Sequence, residues 1–138
     1  MADADEWPTG RLLSTAARIV EQAWTERLAQ LGLTHAGLIA LHLLQEGPAG
    51  QTDLARAARV QLQTMARTLE RLERLGHVTR QRDTVDARRV LVAATEAGTA
   101  AFAAARAVEA DVFPPVEDPE SLRNALLQIV QPRVATTD

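Results

Sequence analysis

The chain has no cysteine, no lysine and no long apolar run, and each absence removes a class of function. Without cysteine there is no disulfide framework, no cysteine-ligated zinc and no thiol chemistry for sensing oxidants. No apolar run approaches the length of a membrane span, and the start Met-Ala-Asp-Ala-Asp-Glu lacks the basic and apolar regions of a signal peptide. A cytoplasmic protein is expected, and since no helix joins a basic face to a broad aromatic one, no membrane-surface role is expected either. Catalytic signatures are missing too: there is no P-loop, dinucleotide fingerprint, His-Glu-x-x-His or Gly-x-Ser-x-Gly. The sequence predicts no enzyme, no cofactor and no metal, and Gly47-Pro-Ala-Gly50 is too short and proline-broken to cradle a phosphate.

What remains is a chain of 138 residues, the length of one ordinary domain, in which all fifteen basic residues are arginine. Arginine makes planar, bidentate contacts with phosphate and guanine edges. Codon bias in a GC-rich genome, which the high alanine content also suggests, explains the same preference.

Hydrophobic spacing predicts helices nearly throughout. Arg11 to Leu31 is a long amphipathic segment, with Leu12, Ala16, Ile19, Ala23 and Leu28 near helical spacing and Gly32 at its end. Thr34 is placed to cap a second helix reaching about Glu46, which carries Leu38, Ile39, Leu41, Leu43 and Leu44. After the loop Gly47 to Gly50, Leu54, Ala55 and Ala58 share a face in Thr52 to Arg59. A break at Arg59 and Val60 then leads into Gln61 to Leu75, with Met65, Leu69 and Leu72 at i, i+4 and i+7. Gly76 suits a left-handed C-cap. His77 to Arg82 alternates as a strand does, and Arg89 to Val92 closes a hairpin with it. Thr95 then caps a helix to about Phe113, stopped by Pro114 and Pro115. Asp118-Pro119 opens a last helix to about Gln131.

Two short helices, a glycine stop and a basic hairpin are the order of a winged helix-turn-helix, which makes nucleic acid the leading partner. Charge distribution supports it. The whole chain is acidic, at −3, yet Gln51 to Val90 holds nine arginines against five acids and the remainder six against thirteen. Attraction to phosphate at one face and repulsion elsewhere would have this pattern, although an ordinary solvated helix face with Glu70 and Arg74 paired at i, i+4 also contributes. The long first helix and the last two exceed what one small winged unit can cover. A two-fold dimer would cover them and place two reading helices on a palindrome, whereas a monomer would have to fold them back on itself. The expected fold is mainly α with a small β-hairpin. It forms a single domain, 1–138, with a DNA-binding lobe over about 34–94 and dimerisation helices over about 9–32 and 95–131.

The ordered set of segments resembles the MarR family of bacterial transcriptional regulators. Leu33-Thr34, Leu54-Ala55, Thr64, Arg67 and Leu69-Glu-Arg-Leu-Glu-Arg-Leu-Gly76 carry the likeness. So do the wing pair Asp86-Ala-Arg88, Val90-Leu91-Val92 and Thr95-Glu-Ala-Gly98. The resemblance implies a homodimeric repressor on a pseudo-palindromic operator near its own gene, one reading helix per major groove and wings in flanking minor grooves. Gln61, Gln63, Thr64 and Arg67 are then candidates at the exposed start of the reading helix. Gln can read adenine, and Arg67 can read guanine or hold phosphate. A solvated helix start, or a local backbone bond for Thr64, is the structural alternative. Asp86 matches the residue expected to support the wing tip, and Arg88 the one expected to enter a narrow, electronegative minor groove; a solvent-exposed turn salt bridge is their alternative. Arg71, Arg82 and Arg89 complete the expected DNA-facing set.

Three departures from the family pattern stand out. Leu62 and Ala87 replace residues that are often basic, and Ala66 replaces a common Ser or Thr. Each missing phosphate interaction would flatten the slope of log affinity against log salt by about 0.9, with Arg89 placed to compensate.

The resemblance also implies release of DNA by a small aromatic or phenolic ligand, for which Arg11, Arg18, Trp24, His35 and His42 are the candidates. An arginine beside an aromatic ring suits a carboxylate with an apolar body. Trp24 as packing and the arginines as solvated surface are the alternatives, and His35 and His42 lie too far apart along one helix for adjacent metal ligands. The competing reading of the whole chain is a dimeric winged-helix module that binds another protein and ignores DNA.

Overall fold

The computed structural model describes residues 3–131. A 3-10 turn, Ala4–Glu6, precedes the 22-residue helix α1, Thr9–Gln30. Then come α2, His35–Leu43, with a last turn of 3-10 helix, Leu44–Glu46, and a two-residue strand β1, Ala49–Gly50. Next are α3, Gln51–Ala58, α4, Leu62–Arg74, and the strands β2, Val78–Arg82, and β3, Val90–Ala94. The helices α5, Glu96–Val112, and α6, Pro119–Val130, complete the order.

The caps form where side-chain chemistry places them. Thr34 Oγ1 accepts from Gly37 N, Thr95 Oγ1 from Gly98 N, and Asp118 Oδ1 from Ser121 N, each at 3.0 Å. Gly76 takes φ +80, so the left-handed turn after α4 carries no Cβ penalty.

The core lies between α2, α3, α4 and the sheet. Leu41 and Leu69 are fully buried, and Leu38, Leu44, Leu54, Met65, Leu72, Val78 and Val92 nearly so. Each such side chain contributes about 1.5–3 kcal/mol of burial, which holds α4 by its Met65, Leu69 and Leu72 stripe and leaves its other face to solvent.

The sheet differs from the hairpin expected. It has three antiparallel strands in the order β1-β3-β2, because Ala49 pairs with Val92 and Gly50 with Leu91 in the stretch that reads as a loop. β3 also runs on to Ala94, opposite Val78, since the pairing continues to the base of the hairpin.

The terminal helices are sparsely covered. On α1 only Leu28 is buried, whereas Leu12, Ala16, Ile19 and Ala23, spaced as a core stripe, face solvent. No residue of α6 is buried. No single helix among the described residues is long and apolar enough to cross a membrane.

Candidate nucleic-acid interface

Packing Met65, Leu69 and Leu72 inward turns Gln61, Gln63, Thr64, Arg67 and Arg71 outward, and all five are exposed. Gln61 is the N-cap residue of α4 but makes no side-chain cap bond, so its amide is available to other partners. Thr64 accepts through its backbone carbonyl from Thr68 Oγ1 at 3.0 Å. The reading-helix candidates therefore share one surface, at the start and outer face of a helix fixed by its core stripe.

The wing is held by local bonds. Asp86 Oδ1 accepts from Arg88 N at 3.0 Å and Arg88 Nε at 3.2 Å, and Asp83 Oδ1 accepts from Val85 N at 2.9 Å. Asp86 thus folds the tip, and Arg88, though touching it, stays 93% exposed. Arg82 is drawn into the same turn, donating through Nη1 to Ala87 O at 2.7 Å.

Arg89 is placed differently from the outward cation expected. Its Nη2 lies 3.2 Å from Asp53 Oδ2 and its Nη1 3.6 Å from Asp83 Oδ2, because β3 pairs with β1 and brings Arg89 over Gly50 at the start of α3. Two carboxylates hold it, and it fastens the wing to α3. Asp53, Gly50 and Arg89 line a cleft of about 390 Å³ with Thr52, Asp86 and Arg88. Nothing in the sequence marks Asp53 as part of this seam, since its partner lies 36 residues away.

Ion pairing sorts the nine arginines of this segment. Arg56, Arg74, Arg80, Arg88 and Arg89 each face a carboxylate: Asp53, Glu70, Glu73, Asp86, and the pair Asp53 and Asp83. Arg59, Arg67, Arg71 and Arg82 face none among the described residues. The local positive excess resides on these four. Arg67 and Arg71 carry it on the outer face of α4, Arg82 at the wing, and Arg59 in the turn before α4, where its Nη2 donates to Val130 O at 2.9 Å.

The root of the wing is built around Thr95. Its N donates to His77 O at 3.0 Å and its hydroxyl to Gly76 O at 2.6 Å, while the hydroxyl oxygen accepts from Gly98 N. A Cβ on Gly98 would sit 2.0 Å from His77 O, so only glycine admits this approach. The Thr-x-x-Gly signature thus joins the end of α4 to the start of α5 and fixes both ends of the hairpin.

The expected ligand residues divide. Trp24 and His35 stack at 5.1 Å between centroids, and Trp24 Nε1 is buried with no hydrogen-bond partner among the described residues. His42 instead faces Phe102 of α5 at 5.2 Å, and the Arg11 guanidinium lies over Trp7 at 5.8 Å. Arg18 is exposed on α1. The five do not gather into one described cavity; an apolar cavity of about 280 Å³ lies instead along α6, lined by Phe113, Leu122, Leu126, Leu127 and Val130 among others.

Comparison with known proteins adds four relationships. The model of the MarR family matches residues 34–90, which run from the cap of α2 to the start of β3. The fold is similar to that of a MarR-family transcriptional regulator from Rhodococcus sp. RHA1, 26% identical, covering 96% of this chain and 98% of that one with a TM-score of 0.82. It is also similar to CouR from Rhodococcus jostii RHA1 bound to p-coumaroyl-CoA, 25% identical over 97% and 99%, TM-score 0.79. A mutant MarR from E. coli complexed with operator DNA shares the fold at 24% identity over 95% and 100%, TM-score 0.75. No curated protein matched the chain.

Proposed function

We propose, for a chain that is of the MarR family in its residues 34–90 and has the fold of that family's transcriptional regulators, that it is a homodimeric repressor of its own or a neighbouring gene. The observation that carries the DNA-binding part is the placement of Arg67 and Arg71, which lack carboxylate partners among the described residues, on the exposed face of α4 in the same lobe as the wing that bears Arg82 and Arg88. Phosphates attract such a surface whatever the sequence, and Gln61, Gln63, Thr64 and Arg67 supply the groups that distinguish base edges. Arg88 enters the minor groove beside each half-site.

Pairing of two chains brings two reading helices onto a pseudo-palindromic operator and covers the apolar residues left open on α1 and α6. Support for a ligand-released repressor comes from CouR, a similar fold bound to p-coumaroyl-CoA, and from the stacked Trp24 and His35 with an indole N–H that has no partner among the described residues. A small aromatic or phenolic ligand at that stack would act on the junction of α1 and α2, where the lobe meets the terminal helices.

Fluorescence anisotropy tests the reading: the purified protein against DNA from upstream of its own gene and a scrambled duplex of equal length, over a salt series. Tight, selective, salt-sensitive binding is expected. Equal and weak binding to this and to every selected duplex would favour a winged-helix module whose partner is a protein.

A further inference from the structure

Leu62 is the residue of the reading surface that the fold itself does not account for. It is the first helical residue of α4 and stands 49% exposed. Most other exposed large apolar residues lie on the terminal helices, such as Ile19 on α1 and Ile129 on α6, and Leu75 sits against Gly32. Leu62 belongs to none of these groups. It is flanked by the exposed amides of Gln61 and Gln63, and the half-buried Ala66 follows it at i+4, so the two share an apolar strip along one flank of the helix. Leu62 precedes Met65 by three residues and Leu69 by seven, so it carries the edge of the buried stripe out to the exposed first turn of the helix, with Ala66 on the outer side of that edge.

The major groove offers one apolar group to such a strip, the C5 methyl of thymine. The amides beside Leu62 and the Arg67 guanidinium suit the polar edges and phosphates that surround that methyl. A basic residue at this position would strengthen binding to every sequence alike, whereas leucine adds contact only where a methyl is present. We propose that Leu62, seated against Ala66, reads the C5 methyl of a thymine in each half-site. This rests on the DNA-binding reading above and assigns part of its base preference.

The test uses the full chain and uracil, which pairs as thymine does but lacks the methyl. Duplexes are selected from a random library with the wild-type protein, and the best is prepared with thymine throughout or with uracil in its place. Affinities for both forms are measured for wild type, Leu62→Ala and Leu62→Met, with circular dichroism to verify folding. The wild type is expected to bind the uracil form about fourfold more weakly per half-site, the scale of one buried methyl group. Leu62→Ala should bind both forms alike and the thymine form more weakly than wild type does, while Leu62→Met keeps the preference. Equal wild-type affinity for the two forms, or a preference that survives in Leu62→Ala, would overturn the assignment while leaving DNA binding intact. A library from which no duplex is enriched would instead overturn the DNA-binding reading and the assignment together.

Discussion

Arg89 and Asp53 meet across the seam between the wing and α3, with Nη2 3.2 Å from Oδ2. Asp83 receives the other arm of the same guanidinium at 3.6 Å, so one side chain ties the start of β3 to both α3 and the wing turn. The Arg89–Asp53 pair is roughly half exposed, and such exposed pairs contribute about 0–1 kcal/mol. Asp53→Ala should therefore change the melting temperature little, yet the amides of Val85 and Arg88 should exchange with solvent faster as the wing loosens. Unaltered exchange in the wing would show that strand pairing alone sets its position.

Arg67 and Arg88 are expected to separate two kinds of recognition. Arg67→Ala should cost about 1–3 kcal/mol on the preferred operator and relax selection at one base pair per half-site. Arg88→Ala should weaken all duplexes and flatten the salt dependence by about 0.9 for each phosphate no longer neutralised, with the oligomeric state unchanged. Competition binding over a salt series distinguishes them, and unchanged affinity in both variants would remove this surface as the one that meets DNA.

Gly98→Ala is expected to be among the most damaging single-methyl substitutions in the chain. The added carbon falls 2.0 Å from the His77 carbonyl oxygen, and the neighbour it meets is backbone, which cannot swing aside. Relief requires α5 to shift and the Thr95 bonds to break, a loss of about 2–4 kcal/mol by the scale of overpacking plus buried polar groups. Urea unfolding measures it; a loss below about 0.5 kcal/mol would mean that the wing root is more compliant than its close approach indicates.

Arg59 ends α3 with φ +58, the one non-glycine residue with positive φ among those described. A side chain there costs about 1–2 kcal/mol, while its guanidinium bonds Val130 O at 2.9 Å. Replacing it by glycine and by alanine removes that bond in both cases and differs only in backbone freedom. Arg59→Gly should be more stable than Arg59→Ala by about 1 kcal/mol, and equal stabilities by denaturant titration would contradict the left-handed turn.

The apolar side of α6 predicts an oligomeric change. Leu127 and Ile129 are 38% and 60% exposed, beside the cavity that Phe113 and Leu122 help to line. Leu127→Glu should yield monomers by sedimentation, since a buried carboxylate without a partner opposes association by several kcal/mol. A dimer that persists in this variant would place the subunit interface elsewhere.

Much of the winged helix-turn-helix is legible in sequence because its signals are local. The Met65, Leu69 and Leu72 stripe, the caps at Thr34, Thr95 and Asp118, and the left-handed Gly76 each depend on neighbours within a few residues. β1 escapes because two residues are too few to show alternation, and only the distant Val92 and Leu91 make them a strand. Arg89 reads as an outward cation for the same reason, since Asp53 approaches it only once the sheet has formed. On α1 the periodicity marks a stripe without saying what covers it, and within one chain Leu12 and Ile19 remain exposed.

If two chains pair as proposed, the bare stripe of α1 and the exposed apolar residues of α6 make the protein's own abundance a thermodynamic variable. A chain that completes its apolar surface only by meeting a second copy gains stability by mass action, so its melting temperature rises with concentration. In the proposed dimer, dilution would lower stability and operator affinity together, because a lone chain carries one reading helix and leaves apolar residues of α1 and α6 uncovered. A regulator built this way falls silent steeply as its level drops. If it controls its own gene, that steepness sets the floor from which its synthesis resumes.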